Sequence, residues 1–391
     1  METLVMKQST FSPLSFLASL GAGGISVIPF AFLQYTFHTG KGLINFGMID
    51  HISLPLTQQL LFFFLEAVMI VFATLHFILS YQNIKGLIGW LKTDAYQPFI
   101  NDPLKNSAIM APFISLAMTA NVFIGPIRFF VPYMAKNLQD LMLPALIVVG
   151  LLWLFLMQME IRLLKTSFVK SFDVSKINFG WLLHPFALGM TTVTLTGIAA
   201  MSKTAWISHT AASLSAISGT MAFFLLIVKL ISIFKSHFEA DGLPDKQFLP
   251  SMLIVVPNIT LLAIAGFRLS HYMHHYFNFD TSMLAFLIVM VSFAFQTWYL
   301  WFGLALLKDY FRENFFKIEF YMSQWGLVCP FVAYAVLGSF VYKLFLPSPI
   351  IYGLIMASML VAISFFFLLL WRHVKCRATT KRTAGAISCQ A

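Results

Sequence analysis

The sequence predicts an all-α integral membrane protein with ten transmembrane helices. Hydrophobic residues make up 59% of the 391 positions and charged residues only 10%, with a mean hydropathy of +0.82. In a soluble domain about a quarter of the residues are charged, so this composition excludes a soluble globular class. The apolar residues also fall into blocks near the ~20 residues that cross a hydrocarbon core as a helix.

The apolar blocks divide the chain into three parts. A segment over 1–13 precedes the transmembrane domain, 14–371, and a basic tail, 372–391, follows it. Because only Lys7 precedes the first block and no small-residue cleavage site follows it, we expect a retained span rather than a signal peptide. The predicted spans are 14–36, 58–81, 108–132, 139–161, 181–202, 206–234, 249–271, 281–307, 324–345 and 348–371.

Basic residues set the predicted orientation. Nineteen of the 25 Lys and Arg residues lie on the side that holds both termini, and six lie on the other side. The positive-inside rule therefore predicts that both termini are cytoplasmic, and we expect the chain to lie in the cell membrane. The net charge of +10 is explained by this topology, so the lipid bilayer is an expected partner and nucleic acid is not.

Prolines recur in alternate spans. Successive prolines are separated by 83, 73, 72 and 73 residues, and four of the five precede a phenylalanine. The pattern predicts five repeated helical hairpins, each a proline-broken helix and an apolar return helix, arranged with quasi-fivefold symmetry around a central pore. The alternative is chance, because proline is common in membrane helices. The predicted kink residues are Pro29, Pro112, Pro185, Pro257 and Pro330.

The odd-numbered spans are rich in small and hydroxyl side chains, whereas the even-numbered spans contain apolar runs such as 60–64 and 365–368. Such polar helices are expected to face protein or a water-filled lumen, and apolar ones to face lipid. We therefore expect the odd-numbered helices to line the pore. The alternative is that small residues only permit close helix packing. The predicted lining residues are Ser19, Gly24, Ser115, Thr119, Asn121, Thr192, Thr196, Asn258, Cys329 and Tyr334.

Charge in the odd-numbered spans favours anions. These spans contain no Asp or Glu, and their cations lie toward the ends away from the termini. Rings of basic residues suit anion pores. Alternatively, the cations only complement helix C-termini or extend to the membrane interface. The predicted anion-attracting residues are Arg128, Lys203, Arg268 and Lys343.

Several short motifs resemble the tellurite-resistance/dicarboxylate transporter family, which includes slow-type anion channels, malate permeases and sulfite pumps. They are Pro13 with Gly21-Ala-Gly-Gly24, His184-Pro185, Pro250 with Pro257, and Trp325-Gly-Leu-Val-Cys329-Pro330-Phe331. The resemblance covers 10–375. It implies five hairpins around a central anion path, often as a homotrimer, that carries inorganic anions or C4-dicarboxylates.

The family is often gated by a phenylalanine before the ninth-helix proline, where this chain has Cys329. Either the constriction is looser or another aromatic ring fills it. The candidates for the gate are Phe331, Phe186, Phe113 and Phe30.

Other ionisable residues support rival functions. Glu66 and His76 in the second span suggest either structural pairing or a proton-coupled organic-acid or sulfite exporter, while His184 suggests a capping or mouth role. The spacing of His271, His274 and His275 could hold a metal or haem in an intramembrane redox subunit, or form an interfacial belt. Because no enzyme signature is present, we expect neither an enzyme nor a cofactor or metal.

Overall fold

The computed structural model describes residues 11–40, 42–317 and 319–382, with side chains as far as Cys376. The described residues are helical and include no strand. Ten helices are long and apolar enough to cross a membrane, which confirms the all-α class and the number of spans. They are α1 Pro13–Phe37, α2 Leu56–Leu91, α3 Asn106–Phe130, α4 Leu138–Val169, α5 Phe179–Met201, α6 Ala205–Phe238, α7 Leu249–Phe277, α8 Ser282–Leu306, α9 Met322–Leu344 and α10 Pro349–Cys376.

Several even-numbered helices are longer than predicted. Helix α2 continues to Leu91, ten residues past the predicted end at 81, and α4 continues to Val169. The helix of α10 continues to Arg382, into the predicted tail. Charged residues lower the hydropathy beyond the predicted end of a span. They do not end the helix, because Lys, Arg and Glu are good helix formers. The predicted segments before residue 11 and beyond residue 382 lie outside the described residues.

The odd-numbered helices form the inside of the bundle. Between 50% and 100% of the residues in their most apolar stretches are buried, against 22% to 44% in the even-numbered helices. Helix α1 packs against α3, α3 against α5, α5 against α7, α7 against α9, and α9 against α1, which closes the circuit. Each even-numbered helix packs against the odd-numbered helix before it and the next one around, with α10 contacting α1.

The prolines occupy a different place from the one predicted. Each odd-numbered helix begins with a 3-10 turn, and Pro112, Pro185, Pro257 and Pro330 are each the third residue of the α-helical segment that follows. Proline is tolerated there because the first N–H groups of a helix have no intrahelical partner. These prolines therefore mark the change from 3-10 to α geometry and do not break a helix in mid-span. Pro29, by contrast, lies in the interior of its helix.

Glycines allow α1 to approach its neighbours closely. A Cβ added at Gly23 would lie 2.6 Å from Met118 Cγ and 2.7 Å from His76 Nδ1. A Cβ at Gly24 would lie 2.9 Å from Val332 Cγ1. Close packing, offered above as the alternative to a lumen, accounts for at least these two small residues.

We expect Gly23→Ala to lower the midpoint of thermal unfolding of the detergent-solubilised protein. The added methyl group must displace two side chains in a packed interior, which costs roughly 1–3 kcal/mol. The matched control is Gly353→Ala in α10, where an added Cβ has no heavy atom within 4 Å. An equal midpoint for the two variants would contradict this packing.

Candidate functional site

Two cavities lie in series along the axis enclosed by the odd-numbered helices. The first, called the vestibule, has a volume of about 690 Å³ and lies where these helices begin, between Leu14, Ser107, Leu183, Ile254 and Gly326. The second, called the inner cavity, has a volume of about 160 Å³. Its described lining residues all come from α1, α3, α5, α7 and α9, apart from Leu43 in the α1–α2 loop.

The two cavities share two lining residues, Phe186 on α5 and Cys329 on α9. Phe186 follows Pro185, and Cys329 precedes Pro330, in the first turn of the α-helical segment of each helix. These two side chains therefore lie at the boundary between the cavities.

This placement separates the four phenylalanines that were candidates for the gate. Phe186 lies between the two cavities, and Phe30 lines the inner cavity. Phe331 lines neither cavity and packs edge-on against Phe365, with ring centroids 5.4 Å apart. Phe113 also lines neither cavity.

Of the ten predicted lining residues, Gly24, Asn121 and Cys329 line a cavity. The other seven line neither cavity, and their hydroxyl and amide groups are bonded to carbonyls or to a neighbouring helix, as polar groups in an apolar interior usually are. Their contacts are Ser19 with Ser115 (2.7 Å), Thr119 with His76 (2.9 Å), Thr192 with Ser218 (2.8 Å), Thr196 with the Val193 carbonyl (3.0 Å), Asn258 with the Ile254 carbonyl (2.9 Å) and Tyr334 with Thr297 (3.0 Å).

Among the four predicted anion-attracting cations, only Arg268 lines a cavity. Arg128 is buried, and its guanidinium donates to the carbonyls of Ile124 and Ile44. Lys203 and Lys343 are exposed and line neither cavity. The backbone carbonyls therefore hold Arg128 in a structural position, and of the four residues only Arg268 is placed beside a cavity.

The inner cavity is mostly apolar, with one charge. Among its described lining residues, Arg268 alone carries a formal charge. Its Nη1 donates to the Val193 carbonyl at 2.6 Å, and the Tyr35 hydroxyl is close enough for an electrostatic interaction with it. Tyr35 lies in a π-helical turn at the end of α1, and such turns are frequent at functional sites.

A buried ionic cluster, which the sequence analysis did not identify, lies beside the vestibule end of α5. Glu160 on α4 is fully buried, and both of its carboxylate oxygens lie 2.8 Å from His184 Nδ1. Lys229 on α6 is also buried, donates to the Trp181 carbonyl at 3.5 Å, and interacts electrostatically with Glu160. Since ionisable residues within spans are conspicuous, Glu160 and Lys229 could have been noted from the sequence.

Glu66 and His76, the ionisable residues of α2 singled out from the sequence, have structural partners. Glu66 lies 2.8 Å from His51 Nε2 in the α1–α2 connection. His76 is buried, with Nδ1 2.7 Å from the Ser19 carbonyl and Nε2 2.9 Å from Thr119 Oγ1. The structure thus gives both residues the pairing role that was one of the two alternatives.

The histidines at the end of α7 are bonded to the backbone. Nδ1 of His271 donates to the Phe267 carbonyl at 3.0 Å, and Nδ1 of His274 to the Phe279 carbonyl at 3.1 Å. The part of the chain that the structure describes holds no group of three His, Cys, Asp or Glu residues placed to bind a metal ion. His275 instead packs edge-on against Tyr276.

No protein-family model and no curated protein matches this chain. The family resemblance therefore stays a prediction from the motifs.

We expect Glu160→Gln to destabilise the protein by about 3–5 kcal/mol, because it removes a buried carboxylate that is bonded to His184 and interacts electrostatically with the buried Lys229. The measurement is thermal unfolding in detergent. The control is Asp94→Asn, at an exposed carboxylate. Adding Lys229→Met to Glu160→Gln removes the unpaired charge and should recover more than half of the loss, as a double-mutant cycle would show. Additive losses would contradict the pairing.

Proposed function

We propose that this chain carries small anions across a membrane, through an axial path lined by its five odd-numbered helices. The observation that carries the proposal is the pair of cavities in series, of which the inner one has a single, cationic charge. In this proposal the ten helices are five hairpins with quasi-fivefold symmetry. The neighbour relations around the bundle, each odd-numbered helix contacting the next, support that arrangement.

The apolar surroundings strengthen the effect of the single guanidinium. Coulomb interactions become weaker as the effective dielectric constant rises, and this constant is far lower in such a cavity than in water. A cation would meet an unfavourable potential at Arg268 with no carboxylate near it among the described lining residues. The path should therefore prefer anions, in keeping with the family resemblance, which also suggests a homotrimer.

We place the constriction at Phe186 and Cys329. An aromatic ring at a narrow, apolar point obstructs a pore by its bulk and by excluding water. Phe186 supplies the ring that the family has at the position of Cys329, and it does so from a different helix.

A proton-coupled carrier is the second candidate. It is favoured by the buried Glu160–His184 pair, because His184 lies two residues before Phe186 in the first turn of the α-helical segment. A change in the protonation of that pair would therefore take place beside the constriction.

The experiment is anion flux in proteoliposomes, normalised to folded protein. We expect Phe186→Ala to raise nitrate flux several-fold, because it removes bulk at the narrow point, and Cys329→Phe to lower it. The matched control is Phe331→Ala, which removes a ring outside both cavities and should leave flux unchanged.

In the same vesicles the reversal potential should follow the anion gradient. A reversal potential that follows K⁺, or an unchanged flux in both Phe186→Ala and Cys329→Phe, would falsify the proposed path.

We further propose that both termini are cytoplasmic and that the chain lies in the cell membrane, as the distribution of basic residues indicates. Single cysteines at positions 42 and 278 should then react with an impermeant thiol reagent from outside. Cysteines at positions 94 and 176 should react only after the membrane is permeabilised. The opposite pattern of reactivity at these four positions would show that the orientation is inverted.

A further inference from the structure

The donors of Arg268 are only partly used. Its Nη1 is fixed by the Val193 carbonyl, but Nε and Nη2 have no hydrogen-bond partner among the described residues. Neither atom is among the fully buried polar atoms without a partner, so both keep some accessible surface on a residue that lines the inner cavity. Two adjacent N–H groups of a guanidinium match the two oxygens of a carboxylate.

The Tyr35 hydroxyl adds a further donor beside Arg268. It lines the same cavity and has no hydrogen-bond partner among the described residues. Its ring is held by Phe340, with centroids 3.9 Å apart, so the hydroxyl is presented from a packed position. One anionic group therefore finds both a charge and a neutral donor at this end of the cavity.

The other polar groups of the inner cavity do not favour a second anionic group. Gln34 uses both ends of its amide on Gly42 and Ile44. Thr260 donates to Gln296 Oε1. Asn121 donates from Nδ2 to Thr194 Oγ1, which itself donates to the Met190 carbonyl. The amide nitrogen is thus occupied, and the Oδ1 atom, which can only accept, is the group without a described partner.

The rest of the wall is apolar, with Leu20, Val27, Ile264, Val332 and Phe340 among its members. A cavity of about 160 Å³ is close to the ~150 Å³ apolar cavity that accommodates benzene in a protein interior. It therefore has room for a carboxylate with a short hydrocarbon body. A second carboxylate would be desolvated against apolar side chains with no counter-charge, which is strongly unfavourable.

We propose that the inner cavity is a binding site for a short-chain monocarboxylate, held at Arg268 and Tyr35, and that it discriminates against dicarboxylates. This inference rests on the proposed anion path and names its substrate class. It departs from the C4-dicarboxylates that the family resemblance implies.

The test is equilibrium binding of radiolabelled butyrate to the full chain in lipid nanodiscs at pH 7.5. Unlabelled succinate is the competitor, since both acids have four carbons and differ by one carboxylate. We expect succinate to compete at least about tenfold more weakly than unlabelled butyrate. Because this comparison uses the wild-type protein, it does not depend on whether any variant folds.

Variants then locate the site. Arg268→Gln should weaken butyrate binding by about 10- to 100-fold, because it removes a charge-assisted hydrogen bond. Tyr35→Phe keeps the ring and should weaken binding less. Lys343→Gln, at an exposed cation outside both cavities, should bind as the wild type does.

Competition by succinate equal to that by butyrate would overturn the inference, and so would unchanged binding in a folded Arg268→Gln variant. Nitrate flux separates this result from the proposed function. Flux without selective butyrate binding refutes only the substrate class, whereas selective binding without flux refutes only transport.

Discussion

The hydrocarbon interior offers no water to a polar group, so each one must be satisfied within the chain. This constraint explains which helices lie inside. The odd-numbered helices, whose hydroxyl and amide side chains bond to carbonyls and to neighbouring helices, are enclosed, and the even-numbered helices cover them. Helix α5, with its four threonines, is fully buried over its most apolar stretch. Each of those threonines donates to a carbonyl three or four residues earlier in the helix.

The same constraint decides which charges are available to a ligand. Arg128 is held by carbonyls, and Glu160 is held by His184 beside Lys229. Arg268 differs, because one of its nitrogens is anchored while two others have no described partner. A charge that is anchored but incompletely bonded is what a binding site in an apolar interior requires, since the missing bonds are supplied by the ligand.

How far the sequence predicts this structure depends on the kind of signal. Hydropathy predicts each span because a helix must be apolar over its whole crossing. The polar content of a span, summed over many residues, predicts whether its helix lies inside the bundle. The direction of one side chain is not predicted in this way, since successive helical residues differ by about 100° and the rotation of each helix is set by packing. Ser19, Ser115 and Thr119 were therefore placed in the lumen, although they bond between helices.

The predicted repeat also rests on an imperfect alignment of the prolines. Four prolines share one structural position, but α1 has Ala18 at the third residue of its α-helical segment and Pro29 farther along. Because the pattern rests on proline spacing and on the phenylalanine that usually follows, it includes Pro29, which does not share the structural position of the other four. The 3-10 turn that begins each odd-numbered helix is the more consistent repeated feature, and a hydropathy pattern does not reveal it.

The buried cluster also bears on how the constriction can open. Phe186 and His184 lie on either side of Pro185 in one helical turn, so a rotation of that turn would move both side chains. Such a rotation would separate His184 from Glu160 and leave a carboxylate without its hydrogen bonds in an apolar interior, which costs several kcal/mol. A change of the Phe186 side-chain torsion leaves the backbone and the ion pair in place. The small side chain of Cys329, which shares the narrow point, leaves more room for that movement than a phenylalanine would. Opening by the side chain is therefore the less costly route.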